Sequence, residues 1–216
     1  MKYAKVTQDI DVAVPYITDG RVVAFPTGTS YGLAVDALQG HALQRLRNLK
    51  KRPSEKTFTV CMKQELWSQY FSITSIEQKL LEKVQGKAVT VLLTPMEAIA
   101  HLSQDGLVGL RMIDHPVMQS FMDKLSVPVT ATSANIAGEK ACQDVVCIEK
   151  YFPGLLDDSD PLLHRAGPTT YDLSLACVLD AGALPESDPS TILKVVENKM
   201  EVVRQGAYNP SSLDID

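Results

Sequence analysis

The chain has 216 residues, a net charge of −5, 45% hydrophobic residues and 22% charged residues. That length suits one large domain or two small ones, and that composition excludes a disordered chain. Apolar stretches such as 88–93 fall far short of the roughly 18 residues a membrane helix needs, and polar Thr7, Gln8 and Asp9 leave no signal core. A cytoplasmic protein is expected, and an acidic one of this kind is not a general nucleic-acid binder.

In chain order, Thr7 is placed to cap a short helix ending near Asp19 and Gly20, with Pro15 limiting its regularity. Residues 21–25 read as a buried strand stopped by Pro26. Leu43, Leu46 and Leu49 recur at helical spacing within 40–50. A strand at 57–62, helices at 63–70 and 75–85, and strands at 88–94 and 107–112 follow. A helix at 115–125 takes Pro116 at a tolerated early position, and 127–131 is a further strand.

Strands alternating with helices imply an α/β architecture, and the uneven crossovers imply a mixed parallel and antiparallel sheet. Residues 151–190 carry Pro153, Pro161, Pro168, Pro185 and Pro189 and the acidic run Asp157-Asp158-Ser159-Asp160. They read as a long loop or lid, interrupted by a strand-like 173–179. Residues 192–196 and 201–204 suggest a closing hairpin, and the tail after Gly206 reads as polar and loose. No internal repeat is visible, so one domain over 1–207 with a tail at 208–216 is expected.

The four cysteines, Cys61, Cys142, Cys147 and Cys177, form no CxxC pair and are expected to be reduced thiols, buried or merely tolerated. His41, His101, His115 and His164 are equally dispersed, so a metal centre built from protein ligands is not expected.

Three segments concentrate chemistry. Residues 25–33, reading FPTGTSYGL, follow a strand with hydroxyls, glycines and free backbone N–H groups, which suits an anion or zwitterion at a strand end. It is also what a plain capped turn looks like, and the Gly-x4-Gly-Lys-Ser/Thr phosphate loop is absent. Next, six basic residues (Arg45, Arg47, Lys50, Lys51, Arg52 and Lys56) crowd against the single acid Glu55. A compact basic cluster on an acidic chain points to a confined anionic ligand. If the chain runs extended after the helix, Lys50 and Arg52 project to one side, a point charge and a fork suited to a polyphosphate. Cations at a helix C-terminus are also favoured by its dipole. The third segment, 129–138 (VTATSANIAG), places Ser133 and Asn135 after a strand, where they either cap a turn or contact a nucleotide.

The order PTGTSYGL, LKKRP, VGLRM, TSANIAG, PSTI and RQGA resembles the YrdC-like domain of the threonylcarbamoyl-AMP synthases, from about Arg21 to Ala207. The resemblance implies a twisted mixed α/β sheet with helices packed around a positively charged cleft. It implies a nucleotidyltransferase that condenses L-threonine, bicarbonate and ATP into threonylcarbamoyl-AMP and pyrophosphate, for modifying an adenosine of tRNA. Lys50, Arg52, Ser133 and Asn135 match the family's catalytic signature, and these four with Lys56, Thr132 and Arg204 would bind ATP. Thr29, Cys61, Arg111 and Ser190 would contact threonine, Arg111 pairing with its carboxylate fork to fork. Mg²⁺ would ride on the ATP phosphates with no protein-held metal site. tRNA or downstream tRNA-modification proteins are implied partners, and a membrane is not.

The match departs in three places. Gly28 stands where the family usually has an acid, Cys61 where many members have a histidine, and 154–189 is longer than usual. Two other readings are an RNA-binding or ribosome-associated module and a related enzyme acting on another carbamoyl-adenylate.

Overall fold

A computed structural model describes residues 5–153, 175–213 and 215. The twelve strands of this region form two mixed sheets rather than one. The first runs in the order β1 (Lys5–Thr7), β10 (Leu175–Leu179), β2 (Val22–Pro26), β3 (Tyr31–Ala34) and β9 (Thr132–Ser133). β1, β10 and β2 are parallel, whereas β2, β3 and β9 are antiparallel. The second runs β12 (Lys199–Arg204), β11 (Thr191–Val196), β6 (Val89–Pro95), β7 (Val108–Arg111), β4 (Val60–Cys61) and β8 (Val129–Thr130), with β5 (Phe71–Ser72) also on β6. An isolated bridge between Asp36 and Val129 joins the sheets.

β2 is buried along its whole length because it is covered on both faces. Val22 and Ala24 enter the larger core, with Leu43, Leu46 and Leu49 of α2 (Gly40–Leu49) and Val60, Val91 and Leu110 of the second sheet. Val23 and Phe25 face a smaller core built from α1 (Ile10–Thr18) and α5 (Pro116–Lys124). α3 (Trp67–Tyr70), α4 (Ser75–Lys83) and α6 (Val145–Tyr151) complete the α-helices of the described residues. No helix among these residues is long and apolar enough to cross a membrane.

Local chemistry explains most boundaries. Thr74 and Glu77 form a reciprocal capping box that starts α4. His115 caps α5 through Nδ1, with Pro116 in the first turn. At α1 the cap is Asp9, whose carboxylate accepts the Asp11 N–H at 2.9 Å; Thr7, the cap expected from sequence, instead accepts from Asp9. The expected strand at 57–62 shortens to β4, because residues 57–59 have carbonyls and hydroxyls committed to loop contacts. β3 and α6 carry no clear apolar period and escape the sequence pattern. The described part of the tail is docked rather than loose: the Thr191 hydroxyl donates to the Tyr208 carbonyl at 2.6 Å and accepts two N–H groups, and Ile215 is buried. The acidic run and most of the expected lid lie outside the described residues.

The cysteine expectation is corrected in part. Cys142 and Cys147 are joined in a disulfide, while Cys61 and Cys177 are free and buried. Asp144 caps α6 by accepting the Cys147 N–H at 2.7 Å, and that turn brings the two Cα atoms to 5.4 Å, within disulfide reach. Sequence spacing does not disclose such a turn. Burial pushes the Cys61 and Cys177 thiols up to about 12, which leaves little thiolate to react. Thiol titration of the denatured, unreduced chain should therefore find two thiols, rising to four after reduction. In the native protein, the two free thiols should react slowly.

Candidate active site

The three segments singled out by sequence converge where the two sheets meet. The first is the β2–β3 turn. Thr27 organises it: its hydroxyl donates to the Ser30 carbonyl at 2.7 Å and lies 3.2 Å from the Thr29 hydroxyl. Thr29 is buried, and its carbonyl accepts from the Gln143 side chain at 3.1 Å.

The second is the end of α2. The chain does not run extended through residues 50–52; it makes a left-handed turn at Lys51, with φ of 50°. The Arg52 N–H reaches back to the Arg47 carbonyl at 2.9 Å and the Lys51 N–H to Asn48 at 3.0 Å, a Schellman closure. The turn separates the three basic residues by environment. Lys51 is exposed, whereas Lys50 is only 1% exposed. Arg52 is half-buried, lies over the Phe58 ring at 5.0 Å and donates to the Thr57 carbonyl at 2.6 Å.

The third segment closes on the second. Lys50 Nζ donates to the carbonyls of Ser133 and Asn135 and to Asn135 Oδ1, the last two at 2.9 and 3.2 Å. Ser133 Oγ donates to Asn135 Oδ1 at 2.6 Å, and Asn135 Nδ2 donates to the carbonyls of Ile136 and Glu139. Lys50, Ser133 and Asn135 are therefore one hydrogen-bonded unit, with Arg52 close enough to oppose the Lys50 charge. Burial first, and Arg52 second, lower the Lys50 pKa to about 7. Thr132 pairs with Leu33 across β9 and β3, which holds this loop beside the β2–β3 turn. Lys56 is apart: its side chain is exposed and its carbonyl serves Arg47 and Arg52.

A second cluster forms at the end of β7. Arg111 Nη2 makes a buried ion pair with Asp114 at 2.6 Å, while Nη1 donates to the Met112 carbonyl at 2.8 Å. Asp114 Oδ1 also accepts the Gly28 N–H at 2.9 Å, tying this cluster to the β2–β3 turn. Cys61 is fully buried, its thiol influenced by the charges of both Arg111 and Asp114. Thr90 is opposite Arg111 in the sheet, and its hydroxyl lies 2.9 Å from that of Ser190. Arg204, though exposed overall, donates to the Ser190 carbonyl at 2.6 Å; partial desolvation and then the Arg111 charge lower its pKa. Gly206 admits this packing, because a Cβ there would meet the Ser190 carbonyl at 2.8 Å.

The structure thus gathers Thr29, Cys61, Arg111, Ser190 and Arg204 around one cluster, and Lys50, Arg52, Thr132, Ser133 and Asn135 around the other. Sequence reasoning missed Asp114, Thr90, Gln143 and Tyr31. Tyr31 is fully buried, and its hydroxyl accepts the Ala181 N–H at 2.8 Å and donates to the Gly182 carbonyl at 2.9 Å, anchoring the segment that leads to Ser190. Asp114, three residues beyond Arg111, was the one with a visible signal.

The model of the Sua5/YciO/YrdC family, described as telomere recombination, matches residues 15–206. The chain belongs to this family. It is 31% identical over 175 residues to the threonylcarbamoyl-AMP synthase of Hydrogenovibrio crunogenus, covering 74% of this chain and 90% of that protein. It is 30% identical to the human threonylcarbamoyl-AMP synthase, covering 78% of this chain but 64% of the human protein. Among solved structures, P. abyssi Sua5 complexed with L-threonine superposes with a TM-score of 0.75 at 23% identity, over 95% of this chain and 57% of that one. That likeness establishes the fold.

The buried Lys50 makes stability depend on pH. An unfolded lysine titrates near 10.4, so between about pH 7 and 10 the unfolded chain holds a proton that the folded one sheds. This group's contribution therefore favours folding increasingly as pH rises through that window. Denaturant unfolding should show wild type gaining stability relative to Lys50→Met between pH 7 and 10. A constant difference would mean that Lys50 keeps its proton throughout.

Proposed function

We propose that this protein is a threonylcarbamoyl-AMP synthase, joining L-threonine, bicarbonate and ATP into threonylcarbamoyl-AMP with release of pyrophosphate. The observation that carries the reading is the closure of the Lys-x-Arg turn onto the Ser-x-Asn loop, in a chain of this family. Lys50 shapes that loop from below. The exposed Ser133 and the Arg52 guanidinium then face the triphosphate beside Thr132, and Arg204 reaches toward it from the neighbouring Arg111 cluster. Thr29, Cys61, Arg111 and Ser190 form the threonine side, next to it.

The neutral amine of threonine attacks the bicarbonate carbon, a carbon–oxygen bond breaks, and the departing hydroxide takes a proton from the amine and leaves as water, giving a carbamate. A carbamate oxygen then attacks the α-phosphorus, and pyrophosphate leaves. What the side chains supply is alignment of three substrates and neutralisation of charge growing on phosphate oxygens. Magnesium would be carried on the ATP phosphates, since this ion is commonly bound through substrate phosphates rather than a dedicated protein cage. Bound there, the ion would offset phosphate charge. The product is an activated threonylcarbamoyl group, to be consumed by proteins that modify tRNA.

Purified protein incubated with ATP, bicarbonate and each amino acid in turn should release pyrophosphate and form an adenylate only with threonine. Absence of any threonine-dependent product would overturn the reading. Arg52→Ala should lower turnover at least ~100-fold, the usual scale for a lost electrostatic contact at a transition state, with an unchanged circular dichroism spectrum. Near-normal turnover would show that the phosphate site lies elsewhere.

A further inference from the structure

A site for an amino acid must hold a carboxylate and an ammonium together. The Arg111 cluster contains two guanidinium groups, Arg111 and Arg204, close enough for the first to oppose protonation of the second. By themselves they would attract any small anion, including phosphate and bicarbonate. The acidic side chain placed among them is Asp114, of which only 3% is exposed, against 6% for Arg111. Cys61 adds no negative charge, since burial holds its thiol protonated up to about 12.

We propose that Asp114 is a specificity-determining residue that makes this site select a zwitterion over a simple anion, its carboxylate accepting the substrate's α-ammonium beside Arg111. The inference rests on the amino-acid-activating reading above and assigns the amino end of that site. An ionised carboxylate offers about four acceptor positions. Two are used here, Oδ1 by the Gly28 N–H at 2.9 Å and Oδ2 by Arg111 Nη2 at 2.6 Å. Gly28, which donates the first of these bonds, immediately precedes Thr29 on the turn assigned to the threonine side.

The backbone accommodates this carboxylate specifically. A Cβ at position 28 would come within 2.7 Å of Asp114 Cγ, and closer still to Oδ2, so any side chain there displaces it. Gly28 is thus the counterpart of Asp114: in this chain the carboxylate beside the turn is delivered from the end of β7 rather than from the turn itself. The two bonds also fix its direction, since one comes from the turn and the other from the strand end.

The test is a binding comparison by calorimetry on wild type and Asp114→Asn, which keeps the shape and the Gly28 acceptor but removes the charge. The probes are L-threonine, its analogue with the α-amino group replaced by hydroxyl, and inorganic phosphate. Wild type should prefer threonine to the hydroxy analogue by at least ~100-fold, because polar groups built to receive an N–H group reject a ligand lacking it. In Asp114→Asn that ratio should collapse to below ~10-fold while phosphate binds about 10-fold more tightly, following the loss of one negative charge beside two guanidinium groups. Equal weakening of all three ligands would assign Asp114 a merely structural role and overturn the proposal, as would unchanged affinities. If Asp114→Asn does not fold, Gly28→Ala, which displaces the carboxylate without removing it, must lower the same ratio, and an unaltered ratio refutes the idea. A wild type that ignores threonine would refute the threonine reading alone, because the phosphate comparison still decides whether Asp114 sets the charge preference.

Discussion

A lysine ammonium almost wholly removed from water must be surrounded by acceptors, and the loop after β9 folds around that requirement. Burying an unpartnered charge is prohibitive, whereas three oxygens around Lys50 Nζ make the burial tolerable. Those oxygens belong to Ser133 and Asn135, so their backbone positions depend on the end of α2. The Ala137 N–H also donates to the Lys50 carbonyl at 2.8 Å, so the lysine holds the loop from both of its ends. Losing this contact would release the loop rather than merely remove one charge from it.

The second cluster is built on the same principle with the signs completed. Arg111 is buried and is matched by a buried carboxylate, not by backbone oxygens alone. Breaking such a pair typically destabilises by about 3–5 kcal/mol, because the remaining charge has no partner. Both sites therefore couple stability to the geometry that a ligand meets. The β2–β3 turn lies between them, joined to one through Gly28 and Asp114 and to the other through the pairing of β3 with β9.

The disulfide extends this framework. The Cys142 carbonyl accepts from Tyr31, and its N–H donates to Ala134, so one residue bridges β3 and the Ser-x-Asn loop. Joining Cys142 to Cys147 attaches that bridge to α6. Tyr31 then carries the linkage onward through its hydroxyl to residues 181 and 182.

Much of this was legible in the linear chain. Leucine spacing set α2, apolar runs located β2, β6 and β7, and the placement of PTGTSYGL, LKKRP and TSANIAG at element ends pointed to one site, because each motif follows a strand or helix that must stop there. Local signals work where periodicity and capping dominate. They could not show that Lys51 turns left-handed and divides Lys50 from Arg52, since that depends on where the Schellman closure falls. Nor could they show that Arg111 already has an acidic partner, or that Gly28 is small because that partner occupies its place. The pair is short in sequence, but nothing in the linear chain shows that it is buried, and the Gly28 contact exists only once a turn and a strand end 86 residues apart have been brought together.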